Sequence, residues 1–157
     1  MLQRSTRDAI VDLLYTCARS IDQDKLEEWP EWFTEDGVYR VIPRENLEQN
    51  LPLAVLFFEG RDMLRDRVTS LRQANIYNKH YSRHLITNIL IEEGTDGRHR
   101  AHSNYTYYTT DLEGTTSLFS VGAYDDEIVF VGGQARLKQR TVILDTFGIA
   151  NLLAVPI

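Results

Sequence analysis

His80 and His84 stand four positions apart in the chain. On a helix that spacing sets two imidazoles on one face, where a nearby carboxylate would complete the two-histidine, one-carboxylate set that holds a mononuclear non-haem iron. His84, however, opens the β-rich run from Arg83 to Glu92, so a shared helix face is not expected. A partly buried, hydrogen-bonded histidine near a strand start is the reading adopted, and no metal site is assigned. His99 and His102 take odd and even positions of one β-rich run, and so point to opposite faces of a sheet. A Rieske cluster needs two thiolates and two imidazoles, which the single cysteine, Cys17, rules out within this chain. Cys17 reads as a core residue. There is no GxSxG turn, no GxGxxG and no GxxxxGK[ST] loop, so neither a nucleophile elbow nor a nucleotide-phosphate cradle is indicated.

What remains is an acid/base pocket drawn from Tyr15, Asp22, Trp29, Tyr39, His84 and Tyr107. An Asp or His held among aromatic rings can acquire a shifted pKa and move protons near neutral pH. The competing reading is that these aromatics fill the core, and spacing alone does not bring the six together. Tyr105, Tyr107 and Tyr108 lie in the stretch SNYTYYTT, so tyrosines fall on both faces of a strand. With Tyr124 they suggest either a protein interface, where Tyr is enriched, or ordinary cross-strand packing.

The elements that must position these residues follow from periodicity. Ile10, Leu13, Leu14, Cys17 and Ile21 recur at helical spacing between Thr6 and Ile21, with Ser5 or Thr6 as cap. Asp24 followed by Glu27 has the form of a capping box and predicts a short helix from about Lys25 to Phe33, with Pro30 as a kink or a later start. Gly37–Pro43 reads as a strand, 43–53 as an irregular loop, Leu53–Phe58 as a short strand and Gly60–Arg72 as a helix. Then Arg83–Glu92, Arg98–Thr110, Thr116–Asp126 and Gln134–Phe147 form long β-rich runs separated by TDG, EG and GG turns. In the last run Leu137, Thr141 and Ile143 alternate with Arg136, Lys138 and Arg140, which puts the three charges on one face. Helices followed by an antiparallel meander predict an α+β fold, a cone-like curved sheet with N-terminal helices on one side. Its interior could hold a small molecule, and its outer strand face could serve for docking.

At 157 residues with 43% hydrophobic content, the chain is expected to form a single domain spanning 1–157, with residues 148–157 an apolar tail. From Phe147 to Ile157 the sequence FGIANLLAVPI carries no charge. Such a segment needs a docking site on its own body or on a neighbour, and a role in subunit contacts is the expectation. A net charge of −6 and a pI near 5.2 argue against nucleic acid as partner. No run approaches the ~20 apolar residues of a membrane span, and with no export signal and one cysteine a cytoplasmic location is expected.

The order of these features resembles a known family. The segments WPEWFTEDGVYRV (29–41), PRENLEQNLPL (43–53), DMLRDRV (62–68) and ANIYNKHYSRHLITN (74–88) resemble the small (beta) subunits of aromatic-ring-hydroxylating Rieske non-haem iron oxygenases. They are similar in sequence order to members acting on aromatic carboxylates, such as those of salicylate 5-hydroxylase and terephthalate dioxygenase. The resemblance implies a nuclear transport factor 2-like fold and an α3β3 assembly with a large (alpha) subunit. That partner would carry the Rieske [2Fe–2S] cluster and the mononuclear iron and would receive electrons from the transfer components. It implies a structural, non-catalytic chain with no catalytic, cofactor or metal residue of its own. Two alternatives of the same fold are a stand-alone dehydratase, isomerase or cyclase using Asp22 and His84 as its acid/base pair, and a small-ligand binding module.

Overall fold

A computed structural model describes residues 4–74, 79–146, 148 and 155–157. Helix α1 (Arg4–Asp22) follows the predicted apolar stripe, burying Ile10, Leu14, Cys17 and Ile21. Helix α2 (Arg44–Glu48) is a short turn of helix inside the predicted loop, and α3 (Arg61–Gln73) buries Leu64, Val68 and Leu71. The strands are β1 (Phe33–Pro43), β2 (Leu56–Glu59), β3 (Tyr81–Glu93), β4 (His99–Thr110), β5 (Thr116–Val131) and β6 (Gln134–Leu144). They form one six-stranded sheet in the order β2-β1-β6-β5-β4-β3. Its ends, β2 and β3, do not pair with each other, so the curved sheet stays open, and α1 and α3 pack against it. This is the expected α+β, nuclear transport factor 2-like class. One pair departs from the antiparallel expectation: β1 runs parallel to β6, because the chain crosses over through the whole β3–β5 meander before returning beside β1.

Two local readings are corrected. The predicted helix over 25–33 is a short 3-10 turn, Trp29–Trp32, with Pro30 in its opening positions. The Asp24/Glu27 pair does not cap it. Asp24 sits in the left-handed region at φ 56°, and both carboxylates go to Arg72 of α3, with Glu27 Oε1 2.7 Å from Nε and Asp24 Oδ1 2.8 Å from a terminal nitrogen.

The second correction concerns β6. Ile128 pairs with Leu137 and Glu127 with Gln139, so Lys138 is an extra residue, a β-bulge. Alternation reverses there, and Arg140, Val142 and Leu144 turn inward while Gln139 and Ile143 turn out. Arg140, expected beside Arg136 and Lys138, is instead buried.

The core gathers around Trp29, Phe33 and Tyr39. Trp29 meets Phe33 and Tyr39 edge to face, at 5.7 Å and 5.1 Å between ring centroids. Val155 and Ile157 join this core, so the end of the apolar tail docks on its own body; Leu152 and Leu153 lie outside the described residues.

Candidate functional site

The last residue of α1 brings Asp22 to the start of β3. Its carboxylate accepts the backbone N–H of His84 at 3.0 and 3.1 Å, and Oδ1 lies 2.6 Å from His84 Nδ1. That contact assigns the ring proton to Nδ1, because a carboxylate in this position accepts. The His84 side chain is fully buried and Asp22 nearly so, at 9% exposure. His84 Nε2 is buried with no hydrogen-bond partner. The imidazole lies flat on the Tyr107 ring, 4.3 Å between centroids and 9° between planes. The Tyr107 hydroxyl is 2.9 Å from Ser82 Oγ and 3.1 Å from His80 Nε2. Asp22, His80 and Ser82 line a cleft of about 920 Å³ together with Ile21, Leu71 and Val155. Chemically, an imidazole oriented by a carboxylate with a bare second nitrogen is a proton acceptor in waiting. The same bonds also tie the end of α1 to β3.

Of the six pocket candidates, the structure brings Asp22, His84 and Tyr107 together. Trp29 and Tyr39 belong to the aromatic core described above. Tyr15 is 49% exposed on the outside of α1, on a different face from the buried stripe. His80 and His84 meet the hydroxyl and the ring face of Tyr107 respectively, and form no chelate. His99 is buried edge-on to Phe130, while His102 faces out with Nδ1 3.5 Å from Asp125. Cys17 is buried against Arg140, and burial pushes its thiol up to about 11.

Sequence reasoning missed the buried Arg140–Asp126 pair, hydrogen-bonded through Nε–Oδ1 at 2.9 Å and a terminal nitrogen to Oδ2 at 2.8 Å. The bulge at Lys138 hid it. The tyrosine stretch resolves into packing: Tyr105, Tyr107 and Tyr124 are buried, with Tyr105 stacked on Tyr124 at 4.7 Å, and only Tyr108 faces outward. The apolar outer face lies elsewhere. Leu85, Thr106 and Val121 sit in register across β3, β4 and β5, and Tyr108 pairs with Leu118. Tyr81, Leu85, Leu90 and Leu118 are 65%, 46%, 58% and 56% exposed on that side.

A family model described as ring hydroxylating beta subunit matches residues 17–151. The chain belongs to that family. This beta subunit is 41% identical over 137 residues to the anthranilate 1,2-dioxygenase small subunit of Burkholderia cepacia, covering 87% of this chain and 85% of that one. It is 32% identical over 140 residues to subunit beta 1 of the terephthalate 1,2-dioxygenase terminal oxygenase component of Comamonas sp, covering 89% and 91%. A crystal structure from Novosphingobium aromaticivorans, assigned as the beta subunit of an aromatic-ring-hydroxylating dioxygenase, superposes with a TM-score of 0.89 at 40% identity over 98% of both chains. The beta subunit is thus a component of a dioxygenase enzyme.

The iron groups of such enzymes do not fit the residues of this chain. Its one cysteine is a buried thiol held in the neutral form, and the described residues gather no group of three His, Cys, Asp or Glu side chains as ligands. No helix among them is long and apolar enough to cross a membrane.

Proposed function

We propose that this beta subunit is the structural, non-catalytic partner in an oxygenase that hydroxylates an aromatic carboxylate. It stabilises an α3β3 assembly in the cytoplasm, while the large subunit holds the Rieske cluster and the mononuclear iron and receives the electrons. The observation that carries this reading is the outer face of β3–β5, where Tyr81, Leu85, Leu90 and Leu118 are exposed beside half-buried Tyr108 and Val121. Such a surface marks a protein contact in a folded subunit. The relatives named for anthranilate and terephthalate both act on ring carboxylates, which supports the same substrate class here.

The test is iron content and oxygen uptake with benzoate-type acids, measured on the purified chain and on the complex with its large subunit. The chain alone is expected to bind no stoichiometric iron and to consume no oxygen. About one tightly held iron per isolated chain, lost on replacing His80 or His84, would contradict the proposal.

One observation favours a second reading, a stand-alone acid/base enzyme of this fold. It is the 2.6 Å contact of Asp22 with His84 and the unpartnered Nε2. Proton exchange from a carbon acid catalysed by the isolated chain, abolished by His84→Ala, would support it; an inert chain would reject it.

A further inference from the structure

The cleft that Asp22, His80 and Ser82 line holds about 920 Å³. That lies within the ~300–1,000 Å³ of small-molecule sites. One wall is apolar, made by Ile21, Leu71 and Val155. Leu112 extends that wall at the rim, where it is 64% exposed. It stands on a fixed turn: the Asp111 carboxylate accepts the Thr115 N–H at 2.8 Å, and the Asp111 N–H donates to the Thr115 carbonyl at 3.0 Å. A leucine held in water by an ordered turn, beside a cavity, offers apolar surface for a ligand to cover. At the floor, Ser82 and His80 both meet the Tyr107 hydroxyl, which fixes their side chains.

The charged groups around the cleft are unequally satisfied. Arg72 is taken up by Asp24 and Glu27. The Asp22 carboxylate directs both oxygens at His84, accepting its backbone N–H and its Nδ1–H. Lys79 is exposed at the cleft and forms no ion pair with a described carboxylate. One unpaired ammonium thus borders an apolar wall. We infer that this cleft binds a small aromatic carboxylic acid, its carboxylate at Lys79 and its ring against Leu71, Ile21 and Leu112. A charged acceptor at Lys79 and apolar cover for the wall satisfy both features at once. Binding of this kind requires neither proton transfer at His84 nor the docking role of the outer face.

The experiment titrates the full chain, without its large subunit, with benzoate and follows backbone amide chemical shifts at low salt and neutral pH. Benzamide and benzylamine are the uncharged and cationic controls. Saturable shifts are expected at Lys79, Ser82 and Leu112, with the millimolar affinity ordinary for so small a ligand. Benzoate should bind more tightly than either control. Lys79→Gln should weaken benzoate about three- to fivefold and leave benzamide unchanged, as the loss of one accessible ion pair does. Leu112→Ser should weaken benzoate and benzamide alike. Both substitutions fall on exposed side chains, and an unchanged thermal melt confirms that the fold is kept. The site is refuted if benzoate gives no saturable shift, if its shifts lie away from the cleft, or if Lys79→Gln binds it as the wild type does. Preference for benzylamine would equally refute it, since Asp22 would then set the charge of the cleft. None of these readouts involves iron, turnover or assembly, so failure here leaves the proposed structural role standing, and failure of that role leaves this site standing.

Discussion

Arg140 and Asp126 lie opposite each other on β6 and β5, joined by two parallel hydrogen bonds, with side chains 1% and 0% exposed. The Arg140 guanidinium also lies 4.2 Å from the centroid of the Tyr124 ring. Burial pushes the Asp126 carboxyl above its ordinary value, and the charge and hydrogen bonds of Arg140 work against that rise. Removing one partner leaves an uncompensated buried charge. Arg140→Met should therefore destabilise the chain by about 3–5 kcal/mol in urea unfolding, whereas Arg140→Met with Asp126→Leu should recover most of the loss. A double variant no better than the single would show that the pair contributes more than mutual neutralisation.

Acid lability should come from carboxylates held below their ordinary values. Asp125 is lowered chiefly by its hydrogen bond from Arg100, Glu27 by Arg72 and Asp36 by Lys138. For each, the unfolded chain takes up a proton at higher pH than the folded one. Their stabilisation is therefore present above the unfolded value of ~4 and is lost as pH falls through the lower folded values. Asp126, shifted upward, contributes with the opposite sign. Asp125→Asn should shrink the drop in urea-unfolding free energy between pH 6 and pH 3, by no more than about 1 kcal/mol for so accessible a pair. An undiminished drop would place the acid sensitivity in other groups.

Gly122 allows β5 to pass close to β6. A Cβ there would sit 1.9 Å from the Ile143 carbonyl oxygen and 2.9 Å from the Tyr105 ring, and backbone cannot give way as a flexible side chain can. Gly122→Ala should cost about 3 kcal/mol or more, at the upper end of overpacking effects. Thermal unfolding checks this, and a variant within 1 °C of wild type would refute the close approach.

Much of the frame was legible beforehand. The stripe of α1, the helix over Gly60–Arg72 and all four long strands follow from apolar periodicity and Gly-containing turns, signals that act over a few residues. What was not legible depended on distant partners. Asp24 and Glu27 look like a cap until Arg72 arrives from α3, and a bulge of one residue at Lys138 reverses which side of β6 is buried. Asp22 and His84 are paired in the sequence only through the alternative enzyme reading, because no spacing rule joins positions 62 apart. Tyr15 lies off the stripe of Ile10, Leu14, Cys17 and Ile21, so the helical period itself places it on the exposed side of α1.

Leu85 and Leu90 face solvent on β3 with few inward contacts to lose. Leu85→Lys with Leu90→Lys should leave the melting temperature of the isolated chain within a few degrees, as exposed substitutions do. It should nevertheless weaken recovery of the complex with the large subunit in co-purification. Full recovery of complex would move the docking surface elsewhere.

The central claim is that this chain holds an oxygenase together without performing its chemistry. The direct measurement is turnover and complex mass, by light scattering, for an oxygenase carrying Asp22→Asn and His84→Ala in this chain. The two substitutions remove the side-chain hydrogen bond between α1 and β3 together with the buried imidazole, so the isolated chain should lose about 1.5–3 kcal/mol of stability. Whatever fraction assembles to full mass should turn over within about threefold of wild type, because no transition-state contact has been removed. A variant that assembles to full mass and melts normally, yet loses turnover by several orders of magnitude, would contradict the account and make Asp22 and His84 the catalytic pair.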